Sequence, residues 1–222
     1  MSDNAPVLTA AILVLIAYLL GSFSGSLLIG RLRGVDIRNV GSGNAGGTNA
    51  LRTQGPWFAL ATVAIDIGKG ALAAWLGLRF TPAGLTPTGL SAAWPYACAF
   101  AATLGHVWPV FHGFRGGKGA ATLVGGLVVL WPQCLLPTLL VWLLVLALGG
   151  YVGLATMLAG LSLVPQALLA GDDPLRLGYA TLCALFLVFT HRANIARLRA
   201  GTESRFERVR VFARLRARMA RR

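Results

Sequence analysis

From about Val7 to about Gly30 the chain carries no charged residue. A stretch of that length, built from Ala, Leu, Val, Ile and small residues, is long enough to span the roughly 30 Å hydrocarbon core of a bilayer. Inside lipid every backbone polar group must find its partner within the protein, which leaves helix as the available structure. Further apolar segments follow at about 57–78, 91–111, 120–131, 135–149, 151–170 and 176–190. Only 12% of the 222 residues are charged, and mean hydropathy is +0.69. These values exclude an ordinary soluble domain and predict an all-α, polytopic membrane bundle of seven segments, some of them short or broken. Turns are expected at Thr81-Pro82, Thr86-Pro87, Gly149-Gly150 and Asp172-Asp173-Pro174.

Charge sets the expected orientation. Seventeen of the twenty Lys and Arg residues fall in the loop 31–56, the loop 112–119 and the stretch after His191. An odd number of crossings puts all three on one side, as the positive-inside rule requires, with the N-terminus outside and the C-terminus cytoplasmic. No Lys or Arg precedes the first span, the reverse of a secretory signal, so that span is expected to be retained. Region 120–149 reads either as one bent helix or as two short ones, because Trp131-Pro132 and Pro137 interrupt it. The expected division is an integral-membrane domain over 1–201 and a basic cytoplasmic tail over 202–222.

Three polar clusters then share the expected cytoplasmic face. The first runs from Asp36 to Gly55 and contains Gly41-Ser42-Gly43-Asn44-Ala45-Gly46-Gly47-Thr48-Asn49, nine residues with no large side chain, followed by Arg52. Glycines let backbone N–H groups converge, and Ser42, Asn44, Thr48 and Asn49 add hydroxyls and amides, a combination suited to a phosphoryl or acyl-phosphate group. The plainer reading is a flexible Gly-rich linker between spans. The second cluster surrounds Lys118 with Gly116, Gly117 and Gly119. It is not a Walker A loop: His112 stands where the first glycine is required and Gly119 replaces the hydroxyl residue, which disfavours ATP hydrolysis. It still forms an electropositive nest, with the segment from Ala120 able to aim a helix N-terminus at an anion; the alternative is a short basic loop.

The third cluster holds His191, Asn194 and Glu203. His191 ends a span and Asn194 lies on the same helical face, a spacing compatible with hydrogen bonding to a substrate or with simple capping. His106 and His112 lack nearby carboxylates or thiols at metal-ligand spacing, so no metal is expected. Asp66 and Lys69, i and i+3 within a span, can pair with each other and support the bundle interior. Cys98, Cys134 and Cys183 are isolated in apolar segments and read as packing residues. In the tail, Phe206, Val209, Phe212, Leu215 and Met219 recur every three or four residues among arginines, which predicts an amphipathic helix on anionic lipid, or else a disordered basic tail, with nucleic acid disfavoured for want of an aromatic platform.

Gly41-Ser42-Gly43-Asn44 with Gly46, Thr48-Asn49 and Arg52, then Gly105-His106 and Phe114-Arg115-Gly116-Gly117-Lys118-Gly119, then His191-Arg192-Ala193-Asn194-Ile195 and Gly201-Thr202-Glu203, resemble the bacterial acyl-phosphate:glycerol-3-phosphate acyltransferases of the PlsY type. Gly47 stands where alanine is expected and Arg115 where lysine is common. The resemblance implies transfer of a fatty acyl group from acyl phosphate to the 1-hydroxyl of glycerol 3-phosphate, giving lysophosphatidic acid and phosphate at the bacterial inner membrane, with no cofactor. It further implies Ser42, Arg52, His191 and Asn194 as catalytic residues. Gly41, Gly43, Asn44, Thr48, Asn49, His106, Gly116, Gly117, Lys118 and Gly119 are then substrate-binding, and Asp66, Lys69 and Glu203 structural.

Because acyl phosphate is already activated, direct transfer is the expected mechanism, with a covalent acyl-Ser42 intermediate as its competitor. The fifth residues after the three histidines are Phe111, Gly117 and Ala196, so the H-x-x-x-x-D pattern of acyl-CoA-dependent enzymes is absent. A transporter for a phosphorylated solute is the rival class, since broken helices bind anions there too.

Overall fold

A computed structural model describes residues 5–80, 92–171 and 173–206. Among these residues the structure is helical throughout its regular elements, in two compact units, Met1–Pro132 and Gln133–Arg222. The expected turns at 81–87 and at Asp172, and most of the predicted tail helix, lie outside the described residues.

The first unit contains α1 (Ala5–Gly21), α2 (Gly25–Leu32), α3 (Gly47–Gln54), α4 (Pro56–Arg79), α5 (Trp94–Val107) and α6 (Ala120–Leu130). The uncharged run read as a single span is two helices bent by 46°. The break falls at Ser22-Phe23-Ser24, where Ser22 Oγ turns back to the Tyr18 carbonyl at 3.0 Å and the Phe23 carbonyl is taken by Lys69. Helix α4 opens on Pro56 at its first turn, where the missing N–H costs nothing.

Close backbone approach holds this unit together. A Cβ at Gly70 would fall on the Thr122 carbonyl and one at Gly125 on the Ile67 carbonyl, so α4 and α6 meet glycine to backbone in both directions. Helices α1 and α5 repeat the arrangement through Gly21 on Ala102 and Gly105 on Tyr18. Such contacts are what helix association in lipid relies on, because burying apolar surface gains little there.

The second unit contains α7 (Leu135–Gly149), α8 (Val152–Leu161), α9 (Leu163–Leu169), α10 (Pro174–Thr190) and α11 (Arg192–Arg199). Gly150, in the left-handed region at φ 78°, ends α7, and its N–H returns to the Leu146 carbonyl at 2.8 Å. Asp173 caps α10 by accepting from the Arg176 N–H at 3.0 Å. Helices α10 and α11 are bent by 56° at His191.

Each of the seven apolar segments therefore contains helix, but lengths differ. Pro56–Arg79, Pro132–Gly149 and Val152–Leu169 are long and apolar enough to cross a membrane, and the two bent pairs bring the total to five. Helices α5 and α6, at 14 and 11 residues, rise only about 21 and 17 Å. Region 120–149 is two helices, broken where Trp131 takes φ −156°, ψ 67°.

Candidate functional site

The first glycine cluster is shorter as a loop than its composition indicates. Gly46 is extended and α3 begins at Gly47, so Thr48, Asn49 and Arg52 are helical. Asn49 is 1% exposed and shapes the loop from beneath. Its Oδ1 accepts the Ser42 backbone N–H at 2.9 Å, and its Nδ2 donates to the Ile37 and Val40 carbonyls at 3.0 Å each. Gly41 has φ +60°, and a Cβ there would fall on Asn49 Oδ1, so the turn over Asn49 admits only glycine. Ser42 and Gly43 are exposed on the outer side, with Asn44 and Thr48 half-buried. Among the described residues the Ser42 hydroxyl makes no hydrogen bond, and Arg52 is exposed on α3.

The second cluster is closed on itself by Gly116 N–H to the Val107 carbonyl and Gly117 N–H to the His106 carbonyl, both at 3.1 Å. Its far end is tied to α1 by Tyr18 Oη donating to the Trp108 carbonyl at 2.7 Å. Gly119 takes φ +90° as the N-cap of α6, and Lys118, half-buried, stands just before it. A Cβ on Gly117 would meet His106 Nε2 and, at 2.8 Å, the Ala45 carbonyl. The two glycine loops, about seventy residues apart in sequence, therefore touch at Ala45 and Gly117.

Arg38 joins them a second time, and sequence reasoning assigned it no role. Its guanidinium forks onto both carboxylate oxygens of Asp36, at 2.7 to 3.1 Å, and donates through Nη1 to the His112 and Arg115 carbonyls at 2.8 and 3.1 Å. The Asp-x-Arg pair just ahead of the glycines was the available signal. The Arg38 hydrogen bonds hold the Asp36 carboxyl below its ordinary 3.8 against the opposing effect of burial. Burial, and then the charges of Arg38 and Arg31, push His112 below its ordinary value.

Beneath the loops lies a buried ionic cluster. Lys69 Nζ has three donors and three acceptors at hand: Asp66 Oδ1 at 2.9 Å, His106 Nδ1 at 2.8 Å and the Phe23 carbonyl at 3.1 Å. Asp66 Oδ1 also accepts the Gly25 N–H at 3.1 Å. His106, grouped by sequence with the substrate-binding residues, is 3% exposed and sits in this cluster under Gly117.

The third cluster belongs to the second unit. His191 Nδ1 is 2.8 Å from the Leu187 carbonyl, which can only accept, so Nδ1 carries the proton and Nε2 is the acceptor of the neutral ring. Asn194 Nδ2 donates to Glu203 Oε1 at 2.7 Å, and Arg197 Nε to Glu203 Oε2 at 2.6 Å. Glu203, read as a structural residue, thus orients the Asn194 amide while Gly153 of α8 leaves room for it. The chain here continues to Phe206, whose N–H meets the Gly150 carbonyl at 2.8 Å. No three His, Cys, Asp or Glu side chains among the described residues are grouped to hold a metal ion.

Apolar helices packed glycine to backbone, with glycine loops gathered at their ends, define an all-helical integral membrane protein. The family model described as glycerol-3-phosphate acyltransferase matches residues 11–201. A glycerol-3-phosphate acyltransferase of Symbiobacterium thermophilum is 42% identical over 194 residues, 86% of this chain and 92% of the relative. One from Geobacter sulfurreducens is 36% identical over 201 residues, 90% of this chain and 100% of the relative. The crystal structure of PlsY (YgiH), an integral membrane glycerol 3-phosphate acyltransferase in its glycerol 3-phosphate form, aligns with a TM-score of 0.80 at 36% identity, covering 89% of this chain and 95% of that one. Its lysophosphatidic acid form aligns with a TM-score of 0.78. The chain belongs to the glycerol-3-phosphate acyltransferase family.

Proposed function

We propose that this protein transfers a fatty acyl group from acyl phosphate to the 1-hydroxyl of glycerol 3-phosphate. The observation that carries this reading is the contact of two anion-suited glycine loops in one unit, which provides for a reaction whose two substrates each bring a phosphate. Ser42, Arg52 and the N–H groups from Gly41 to Asn44, with Thr48, hold the acyl phosphate and the charge that develops on it. Gly116, Gly117, Lys118 and Gly119 hold glycerol 3-phosphate. His191 Nε2 accepts from the 1-hydroxyl and, with the Asn194 carbonyl group, orients it.

The hydroxyl oxygen then bonds to the acyl carbon and the acyl–phosphate C–O bond breaks. Phosphate departs with the electron pair, and the hydroxyl proton goes to that phosphate. Lysophosphatidic acid and inorganic phosphate result in equal amounts, without an acyl-enzyme on Ser42. We place the reaction at the cytoplasmic face of a bacterial inner membrane, in a seven-segment chain with its N-terminus outside. In this arrangement residues 1–201 form the catalytic domain and the tail after 202 lies on anionic lipid.

The test is purified protein in detergent, supplied with long-chain acyl phosphate or acyl-CoA, with and without glycerol 3-phosphate. Phosphate release that requires glycerol 3-phosphate and matches lysophosphatidic acid formed supports the reading. Equal turnover of acyl-CoA, or a trapped acyl-Ser42 in rapid quench, overturns the donor or the mechanism respectively.

A further inference from the structure

We infer that His106 is a positioning residue for the glycerol 3-phosphate loop, acting through a ring tautomer that Lys69 dictates; this rests on the acyl-transfer reading above. An ammonium has no lone pair, so the 2.8 Å approach of Lys69 Nζ to His106 Nδ1 makes Nδ1 the acceptor. Asp66 Oδ1 lies farther from Nδ1, at 3.3 Å, and is already occupied by Lys69 and by the Gly25 N–H. A neutral imidazole carries one ring proton, which must then sit on Nε2.

Nε2 is the edge turned toward Gly117: a Cβ there would fall on Nε2 and beside the Ala45 carbonyl. The same residue fixes the loop through its backbone, since the His106 carbonyl accepts the Gly117 N–H at 3.1 Å. His106 thus presents an acceptor and a donor to Gly117 and its surroundings, one from the main chain and one from the ring. The direction of the ring donor is decided from the bundle interior by Lys69.

Among the described residues the two loops meet at this point and through Arg38. The N–H beneath Gly117 therefore sits at the junction of the acyl phosphate loop and the glycerol 3-phosphate loop. With Nδ1 protonated instead, Lys69 would lose its acceptor and the ring would turn a lone pair rather than an N–H toward Gly117. His191 has the opposite tautomer, with Nδ1 donating to Leu187 and Nε2 accepting. The two histidines are thus held in opposite tautomers by their Nδ1 partners.

Two amide substitutions separate this role from simple support, because each reproduces one ring nitrogen. His106→Asn keeps a group at the Nδ1 position, satisfying Lys69, and loses the Nε2 donor. His106→Gln keeps a donor at the Nε2 position and leaves Lys69 one acceptor short. The expected result is an inverted order: His106→Gln has the lower unfolding temperature, while His106→Asn has the higher KM for glycerol 3-phosphate, by about tenfold relative to His106→Gln. KM losses that follow the stability order would overturn the inference and leave a merely structural histidine.

Nitrogen-15 NMR of histidine-labelled wild-type protein provides a readout that needs no variant. A His106 signal pair with Nε2 protonated and Nδ1 bare is expected, and the reverse assignment overturns the inference. Absence of acyl transfer by the wild type in the same assay would refute the reading of function and leave the tautomer result standing.

Discussion

Replacing Asn49 tests how the first loop is built. Its side chain makes three hydrogen bonds to backbone in a site that is 1% exposed, holding Ser42 N–H, the Ile37 carbonyl and the Val40 carbonyl. At about 1 kcal/mol net for each bond, Asn49→Ala removes about 3 kcal/mol from the ordered loop. At about 1.4 kcal/mol per tenfold, that lowers its population up to about a hundredfold. Water entering the opened loop offsets part of the loss, so kcat/KM in the detergent assay should fall between about tenfold and a hundredfold. Asn49→Asp is nearly isosteric yet turns a carboxylate oxygen toward two carbonyls. It should be worse than the alanine variant at neutral pH and recover as the pH falls, because a protonated carboxyl can donate to one of them. An alanine variant within about threefold of wild type, a difference too small for even one lost bond, would show that Asn49 does not hold the loop.

Glycines two residues apart on α4 should respond oppositely. Gly70→Ala drives a methyl into the Thr122 carbonyl and should lower the unfolding temperature by the equivalent of about 1–3 kcal/mol, whereas Gly68→Ala meets nothing within 4 Å and should be neutral or stabilising. Asp36 contributes stability above its unfolded value near 3.8, and that contribution is lost as the pH falls through its lower folded value. Thermal unfolding across pH 2 to 6, a window of about four units, should therefore show a shallower acid loss for Asp36→Asn. Glu203→Ala releases both Asn194 and Arg197, and should reduce kcat by about tenfold with little change in KM for glycerol 3-phosphate, if Asn194 acts on the hydroxyl in the transition state.

Segment positions were legible because lipid imposes long apolar helices with little dependence on tertiary context. The breaks were less so. Ser22-Phe23-Ser24 is apolar enough to continue a helix, and what ends α1 there is the Phe23 carbonyl drawn to Lys69 from another helix. The Asp66–Lys69 pair could be read from its i, i+3 spacing, but the third member, His106, comes from α5 and only packing supplies it. At the first loop, glycine content identified the cradle and concealed that α3 starts within it. Gly46 followed by eight residues without proline was the missed signal, and it makes Asn49 a scaffold buried under Ser42. Arg38 escaped notice because its carbonyl partners, His112 and Arg115, become neighbours only after folding.

The proposed reaction draws on Ser42, Lys118 and His191 from three remote stretches of the chain, and crosslinking tests that requirement directly. In a background where Cys98, Cys134 and Cys183 are replaced by alanine, cysteines at Ser42 and at the exposed Ala193 would be joined with a short bifunctional thiol reagent in native membranes. Efficient joining is expected, suppressed by glycerol 3-phosphate together with a non-reactive acyl phosphate analogue. Labelling of the two cysteines from opposite sides of the membrane, with no joining, would contradict it.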